Sequence, residues 1–265
     1  SSAIKHDESD GLTPLERAAK NKMILGLFIP LQNGAWTPST YPRGTDWTFE
    51  YNAECTVRAE ELGFDLVFGL AQWMGKGGIG GEMKFRETTQ DPLLVTAGLA
   101  ALTKNIILIS TVHVLYGWHP LHLAKYAATL DHMSDGRWGI NMVTGIKKED
   151  FAMFGLEHVE HDLRYEMADE FVDIMKQLWI SDENLDIEGK FYKMKKGFVS
   201  PKPRHGRPVI VNASSSGPGF DFAAEHSDLL FITRPVGKDV YGLLKEHNGN
   251  IKSRAAEQGK SVKTI

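Results

Sequence analysis

Cysteine is almost absent from this 265-residue chain, in which Cys55 stands alone. One thiol excludes an intrachain disulfide and a thiolate metal cluster, and it suits a reducing compartment. Cys55 sits in a stretch with helical spacing, where a small buried apolar role is expected of it. Long apolar runs are also missing: no window approaches the roughly 18 consecutive apolar residues of a membrane-spanning helix. Neither sign of charge dominates, since 30 Lys and Arg face 34 Asp and Glu for a formal net charge of −4. There is no run of five like charges, so no basic field for nucleic acid. The opening segment Ser1–Lys22 is charged and has no apolar h-region of a secretory signal. These exclusions leave a cytoplasmic protein acting on a small molecule, without nucleic-acid or membrane partners, as the expectation.

What is present is an alternation. With 42% hydrophobic residues the chain can bury a large core. Residues 1–22 read as an extension in which Thr13-Pro-Leu-Glu16 has capping-box spacing for a short helix, and residues 23–265 read as one domain. Met23–Pro30 reads as a fully buried first strand, 48–62 as a helix stopped at Gly63, and 64–70 as a second strand. The glycine-rich stretch 75–81 lacks a Lys-Ser/Thr ending and is a loop, not a phosphate-binding P-loop. Helix 91–103, strand 106–114, helix 119–133 and strand 138–144 continue the series, and 161–179 is an amphipathic helix. A hairpin is expected around 186–192, followed by strand 209–212, helix 218–227, strand 229–233 and helix 239–258. Nearly wholly apolar strands between helices imply a parallel sheet covered by helices. Six strands are counted and 261–265 begins a seventh, so the fold class is α/β: a barrel lacking its last strands, or an open sheet.

Ligands in such folds sit at the C-terminal ends of the strands. Those ends carry Phe68–Gln72, Thr111, His113, Asn141–Thr144, Ala213–Ser216 and Thr233-Arg234. The set is polar and non-acidic, with no carboxylate pair for glycoside cleavage and no nucleophile beside a base. Asn141 stands within the apolar strand of Gly136–Gly145, and a buried amide must find partners, on a neighbouring loop or on a polar ligand. The loop Asn212–Gly219 is rich in hydroxyls and leads into a helix with Pro218 in its first turn. It reads either as a simple cap or as a phosphate cradle for a nucleotide-like cofactor. His158 and His161, like His119 and His122, have helical spacing but no third ligand, so no metal site is expected, and Asp162 is expected to cap its helix. Trp36, Trp73 and Trp118 either wall an apolar substrate pocket or cover the rim.

Taken in order, Met23–Pro30, Ala127–Gly145, His161–Tyr165 with Glu170-Phe171 and Leu178-Trp179, and Gly189–Tyr192 resemble the bacterial-luciferase-like flavin monooxygenases. The branch they are most similar to is that of dimethylsulfone monooxygenase and pyrimidine oxygenase. The resemblance implies a TIM (β/α)8 barrel that receives reduced FMN (FMNH2) from a separate NAD(P)H:flavin reductase, and uses O2 to oxygenate a small organic substrate, an organosulfur compound or a heterocycle. It implies a homo-oligomer. It places Ala71 and Gln72 along the isoalloxazine, Asn141 and Asp150 on the flavin, Arg164 and Tyr165 near the ribityl phosphate, and Ser215 and Ser216 at the phosphate. Phe68, Thr111 and Asn141 would frame the oxygen pocket, with Phe68 standing where relatives carry an aliphatic residue. Family members are longer, and the remainder would supply the last strands and part of the substrate pocket. A deazaflavin oxidoreductase of the same fold and a flavin-binding protein without turnover are the rival readings.

Overall fold

The computed structural model describes residues 11–41, 44, 46–214, 217–232 and 239–264. Ser215, Ser216, Thr233 and Arg234 therefore lie outside the described residues. Helix α1 (Pro14–Ala18) opens on the expected capping box: Glu16 N–H donates to Thr13 Oγ1 at 3.2 Å, and Thr13 N–H donates to the Glu16 carboxylate at 2.8 Å. Strands β1 (Gly26–Ile29), β2 (Leu66–Gly69), β3 (Ile107–His113) and β4 (Trp138–Val143) then alternate with helices α2 (Phe49–Glu61), α3 (Pro92–Leu102) and α4 (Pro120–Met133). Helices α5 (Lys148–Met153) and α6 (His161–Ile180) precede an antiparallel hairpin of β5 (Leu185–Glu188) and β6 (Lys193–Gly197). The chain closes with β7 (Val209–Ala213), α7 (Gly217–His226), β8 (Leu229–Phe231), α8 (Val240–Glu257) and β9 (Lys263–Thr264). Among the described residues seven strands form one sheet in the order β1-β2-β3-β4-β7-β8-β9. The pairs β1/β2, β2/β3, β7/β8 and β8/β9 are parallel. Spatial order following chain order is what repeated strand–helix–strand winding in one direction gives.

The residues group into two compact units. The first comprises the chain up to Val112 with Thr129–Gly139 and Pro203–Pro208. Its centre is β2 and β3, where Val67, Leu108 and Ile109 are fully buried. Buried Arg137 spans this unit's floor: Nη1 donates to Thr103 Oγ1 at 2.9 Å and Ile106 O at 2.8 Å, and Nη2 donates to Ala100 O and Thr103 O, both at 3.1 Å. Carbonyls that end α3 without helical partners are thereby satisfied. The second unit comprises His113–Ala128, Ile140–Lys202 and the chain from Val209. Helix α6 supplies its apolar face through Phe171, Val172, Met175 and Leu178, and the Trp179 indole N–H donates to Ala124 O at 3.0 Å. Helices α7 and α8 pack Phe220, Ala223, Ile251 and Ala255 over β8.

Three local expectations need correction, and one element is added. β1 is not fully buried: Met23 and Leu25 are exposed and Leu27 and Phe28 half-buried, with β2 as the partner strand of β1 among the described residues. Helix α5 lies in a stretch to which the sequence reading assigns no element; at six residues it is too short to show an apolar period. Asp162 does not cap α6. The helix starts at His161 with Glu160 at the cap position, and Asp162 sits in the first turn accepting from His161 Nδ1 at 2.7 Å. Cys55 is half-buried, and burial raises its thiol pKa beside the Tyr51 hydroxyl, so the reactive thiolate is disfavoured.

Candidate functional site

The strand ends of the first unit are aromatic. Phe68, on β2, is buried with its ring 4.8 Å from Phe28, and Phe28 also meets Trp36 edge-on at 5.2 Å. Trp36 thus packs on the end of β1, though it keeps an exposed edge. Thr111 is buried on β3 and Ala71 is buried after β2. Gln72 is half-buried: its Oε1 accepts from Arg86 Nη1 at 3.4 Å and its carbonyl from Thr89 Oγ1 at 3.4 Å. Arg86 had no motif to announce it. Its φ of 65° is a left-handed conformation rare for a side-chain-bearing residue, and burial lowers the pKa of its guanidinium. The same unit holds a cavity of about 780 Å³ at the opposite, N-terminal ends of the strands, lined by Arg17, Glu60, Asp65 and Lys104 among others. Its acids are already occupied: Glu60 accepts from the N–H groups of Lys104, Asn105 and Ile106, and Asp65 from Leu25 N–H and the Asn21 amide. That end is a structural closure.

The second unit brings the polar residues together. Asn141 is fully buried on β4. Beside it in the sheet, Asn212 of β7 donates from Nδ2 to Met142 O at 2.8 Å, and its Oδ1 has no hydrogen-bond partner among the described residues. After β4 the chain turns at Gly145, which has φ 80°. A Cβ there would lie 2.4 Å from the Tyr116 hydroxyl, so glycine is required twice over. Buried Tyr116 donates to Asp150 Oδ2 at 3.3 Å, and burial followed by the Asp150 charge pushes its phenol well above the ordinary value. His113, the last residue of β3, stacks on the Tyr116 ring at 4.6 Å. Burial lowers its pKa to about 4, which keeps the imidazole neutral, and Nδ1 is enclosed without a hydrogen-bond partner among the described residues.

Arg164 and Tyr165 are consecutive residues at the start of α6. Arg164 is buried, with Nη1 3.5 Å from Ile146 O and 3.3 Å from His158 Nε2. No carboxylate pairs with it and Nε has no hydrogen-bond partner among the described residues, so it is not in a surface ion pair. Tyr165 OH lies 3.2 Å from Ser214 Oγ at the entry to α7. At Gly219 a Cβ would fall 1.5 Å from that Ser214 oxygen, so the loop packs directly on the first turn of α7. A buried cation without a carboxylate partner among the described residues, in the first turn of a helix, is an anion-binding arrangement. The histidines do other work: His119 Nδ1 accepts from Leu121 N–H at 3.2 Å at the start of α4, and no cluster of three or more metal-type ligands occurs among the described residues.

Comparisons with known proteins give the family and the fold. A sequence model described as luciferase-like monooxygenase matches residues 23–265. Pyrimidine monooxygenase RutA of Rhizobium rhizogenes is 32% identical over 211 residues, covering 79% of this chain and 56% of the relative, so the chain spans little more than half that protein's length. Among solved structures, riboflavin lyase RcaE with modified FMN and riboflavin superposes with TM-score 0.80 at 26% identity, over 92% of this chain and 62% of that one. Long-chain alkane monooxygenase LadA gives TM-score 0.78 at 26% identity, over 92% and 64%. An F420-dependent secondary alcohol dehydrogenase shares the fold, with TM-score 0.73 at 20% identity over 92% and 68%. With the family's sequence pattern running from the first strand to the last residue, and its fold reproduced over nine-tenths of the chain, this protein belongs to the luciferase-like monooxygenase family.

Proposed function

We propose that the protein is the oxygenating component of a two-component, FMNH2-dependent monooxygenase, supplied by a separate NAD(P)H:flavin reductase in the cytoplasm. The observation that carries this reading is Arg164, a buried guanidinium without a carboxylate partner among the described residues, in the same helical turn as Tyr165, whose hydroxyl meets Ser214. A buried cation costs several kcal/mol unless it is paired, so the site calls for an anionic ligand. The phosphate of FMN fits, with Arg164, Tyr165 and the serine loop through Ser215 and Ser216 as its holders. Asn141 and Asp150 serve the flavin, Ala71 and Gln72 line the isoalloxazine, and Phe68 and Thr111 serve the oxygen pocket.

Reduced FMN, when bound, supplies the electrons that activate O2. The chain supplies dryness and the absence of acid. Apolar strand ends exclude water, and Thr111 and Asn141 offer hydrogen bonds without an acidic proton. His113 and Tyr116 act alike, the first too weak a base to hold a proton at neutral pH and the second too weak an acid to release one. The substrate is a small organic molecule, an organosulfur compound or a heterocycle. A homo-oligomer is part of the reading, and Leu94 and Leu102, exposed on α3, favour it. The fold shared with an F420 enzyme makes hydride transfer from a deazaflavin the second reading; such a protein would leave O2 untouched.

Calorimetric titration with oxidised and anaerobically reduced FMN tests the proposal. The protein binds FMN, and Arg164→Met weakens binding by about 10- to 100-fold, the worth of a charge-assisted hydrogen bond to phosphate. Failure to bind either redox state would sink it.

A further inference from the structure

Tyr116 has no place in any motif, yet three segments of the second unit converge on it. It lies in the loop after β3, buried to 4% exposure. Its ring stacks on His113 at 4.6 Å with the planes 5° apart, and on Phe154 at 5.2 Å and 29°. The edge of the Phe151 ring meets it at 4.9 Å and 78°. Its backbone N–H donates to His113 O at 3.0 Å, its hydroxyl donates to Asp150, and the Gly145 backbone lies against the phenol oxygen. The ring therefore joins the end of β3, the turn after β4 and helix α5.

We propose that Tyr116 is a positioning residue of the cofactor site, holding the Asp150 carboxylate through its hydroxyl and the His113 imidazole through its ring. The inference rests on the assignment of Asp150 to the flavin. Asp150 stands in the first turn of α5, a helix of six residues whose N-cap Lys147 makes no side-chain hydrogen bond. So short a helix does not hold its own orientation in water and needs tertiary anchors. Phe151 and Phe154 against Tyr116 are such anchors, and the hydroxyl adds a donor to one carboxylate oxygen. The carboxylate's other lone pairs stay available to accept from hydroxyl or imide N–H groups, and FMN has both. On the other side of the ring system, flat stacking fixes the imidazole plane, and its enclosed Nδ1 is left for a ligand. A tyrosine that only filled space would need neither the aligned hydroxyl nor a glycine pressed against it.

A double-mutant cycle in FMN affinity tests the proposal, read by anaerobic calorimetry with dithionite-reduced FMN on the whole protein. Tyr116→Phe keeps the stack and removes the hydroxyl, and it weakens FMN binding about tenfold with the melting temperature unchanged. Asp150→Ala weakens binding to a similar extent. The double variant is then about tenfold weaker than wild type, not a hundredfold, because both changes remove one coupled interaction. Tyr116→Leu removes the stack as well, and the His113 ring titration, followed by NMR, moves up towards the ordinary imidazole value. Multiplying effects, or a Tyr116→Phe variant that binds FMN like wild type, would overturn the positioning role. Wild-type protein that binds no FMN would overturn the reading beneath it, and the first titration shows which has failed.

Discussion

At the residue scale the site is defined by what its groups decline to do. His113 is held at about pKa 4 against an ordinary 6.5, so as pH falls the unfolded chain takes up this proton first. Its contribution to stability is complete above pH 6.5 and is lost as pH drops towards 4. His113→Gln removes that sensitivity: between pH 7.5 and pH 5 the variant loses about 1–2 kcal/mol less stability than wild type, measured by urea unfolding at each pH. Parallel stability profiles would show that the ring is not held neutral by the fold. His113 was visible in the sequence as the end of an apolar run, but its state was not. That state comes from burial, to which the Tyr116 ring stacked flat against it belongs, a contact in a loop with no period to read. Arg164 and Tyr165 were easier, because an arginine beside a tyrosine at the start of an amphipathic helix is a local pattern. The missing carboxylate around Arg164 is a tertiary fact. Arg86 left no signal at all, since neither its left-handed backbone nor its contact with Gln72 follows from its neighbours.

At the scale of elements, Gly136–Gly145 contributes residues to each unit. Gly136 takes φ 77° and packs against the His205 ring, Arg137 ties off α3, and the Trp138 indole donates to Ser110 Oγ at 3.0 Å. The remainder of β4 carries Asn141 and ends at Gly145 in the second unit. Arg137→Met keeps the apolar stem and strips four hydrogen bonds from Thr103 Oγ1 and three buried carbonyls. It should cost about 2–4 kcal/mol of stability, read as a lower urea midpoint; a change below about 0.5 kcal/mol would mean that other groups satisfy those carbonyls. Most strands and helices were legible because buried parallel strands are continuous apolar runs and the helices between them show a clear apolar face. Where reading failed, competing physics is visible. β1 is as apolar as a central strand yet keeps Leu25 exposed and Phe28 half-buried, and α5 is shorter than two turns and leans on a ring from another segment.

At the scale of the whole molecule, the near-neutral charge balance and the lack of a helix long and apolar enough to cross a membrane among the described residues fit a protein that handles a small organic substrate. The two units differ in the chemistry of their strand ends. In the first unit, polar groups at the N-terminal strand ends satisfy one another; in the second, the C-terminal ends keep an unpaired guanidinium, an amide oxygen and an imidazole nitrogen in reserve. That asymmetry is what a ligand site requires, and family membership names the chemistry to look for. The most direct test is turnover under 18O2 with FMN, NADH and a flavin reductase, offering a panel of pyrimidines, sulfones and sulfides and analysing each by mass spectrometry. The account predicts that one probe gains a single oxygen atom carrying the label, and only when the reductase is present. Release of hydrogen peroxide with every probe unchanged, or no consumption of O2 at all, would contradict it.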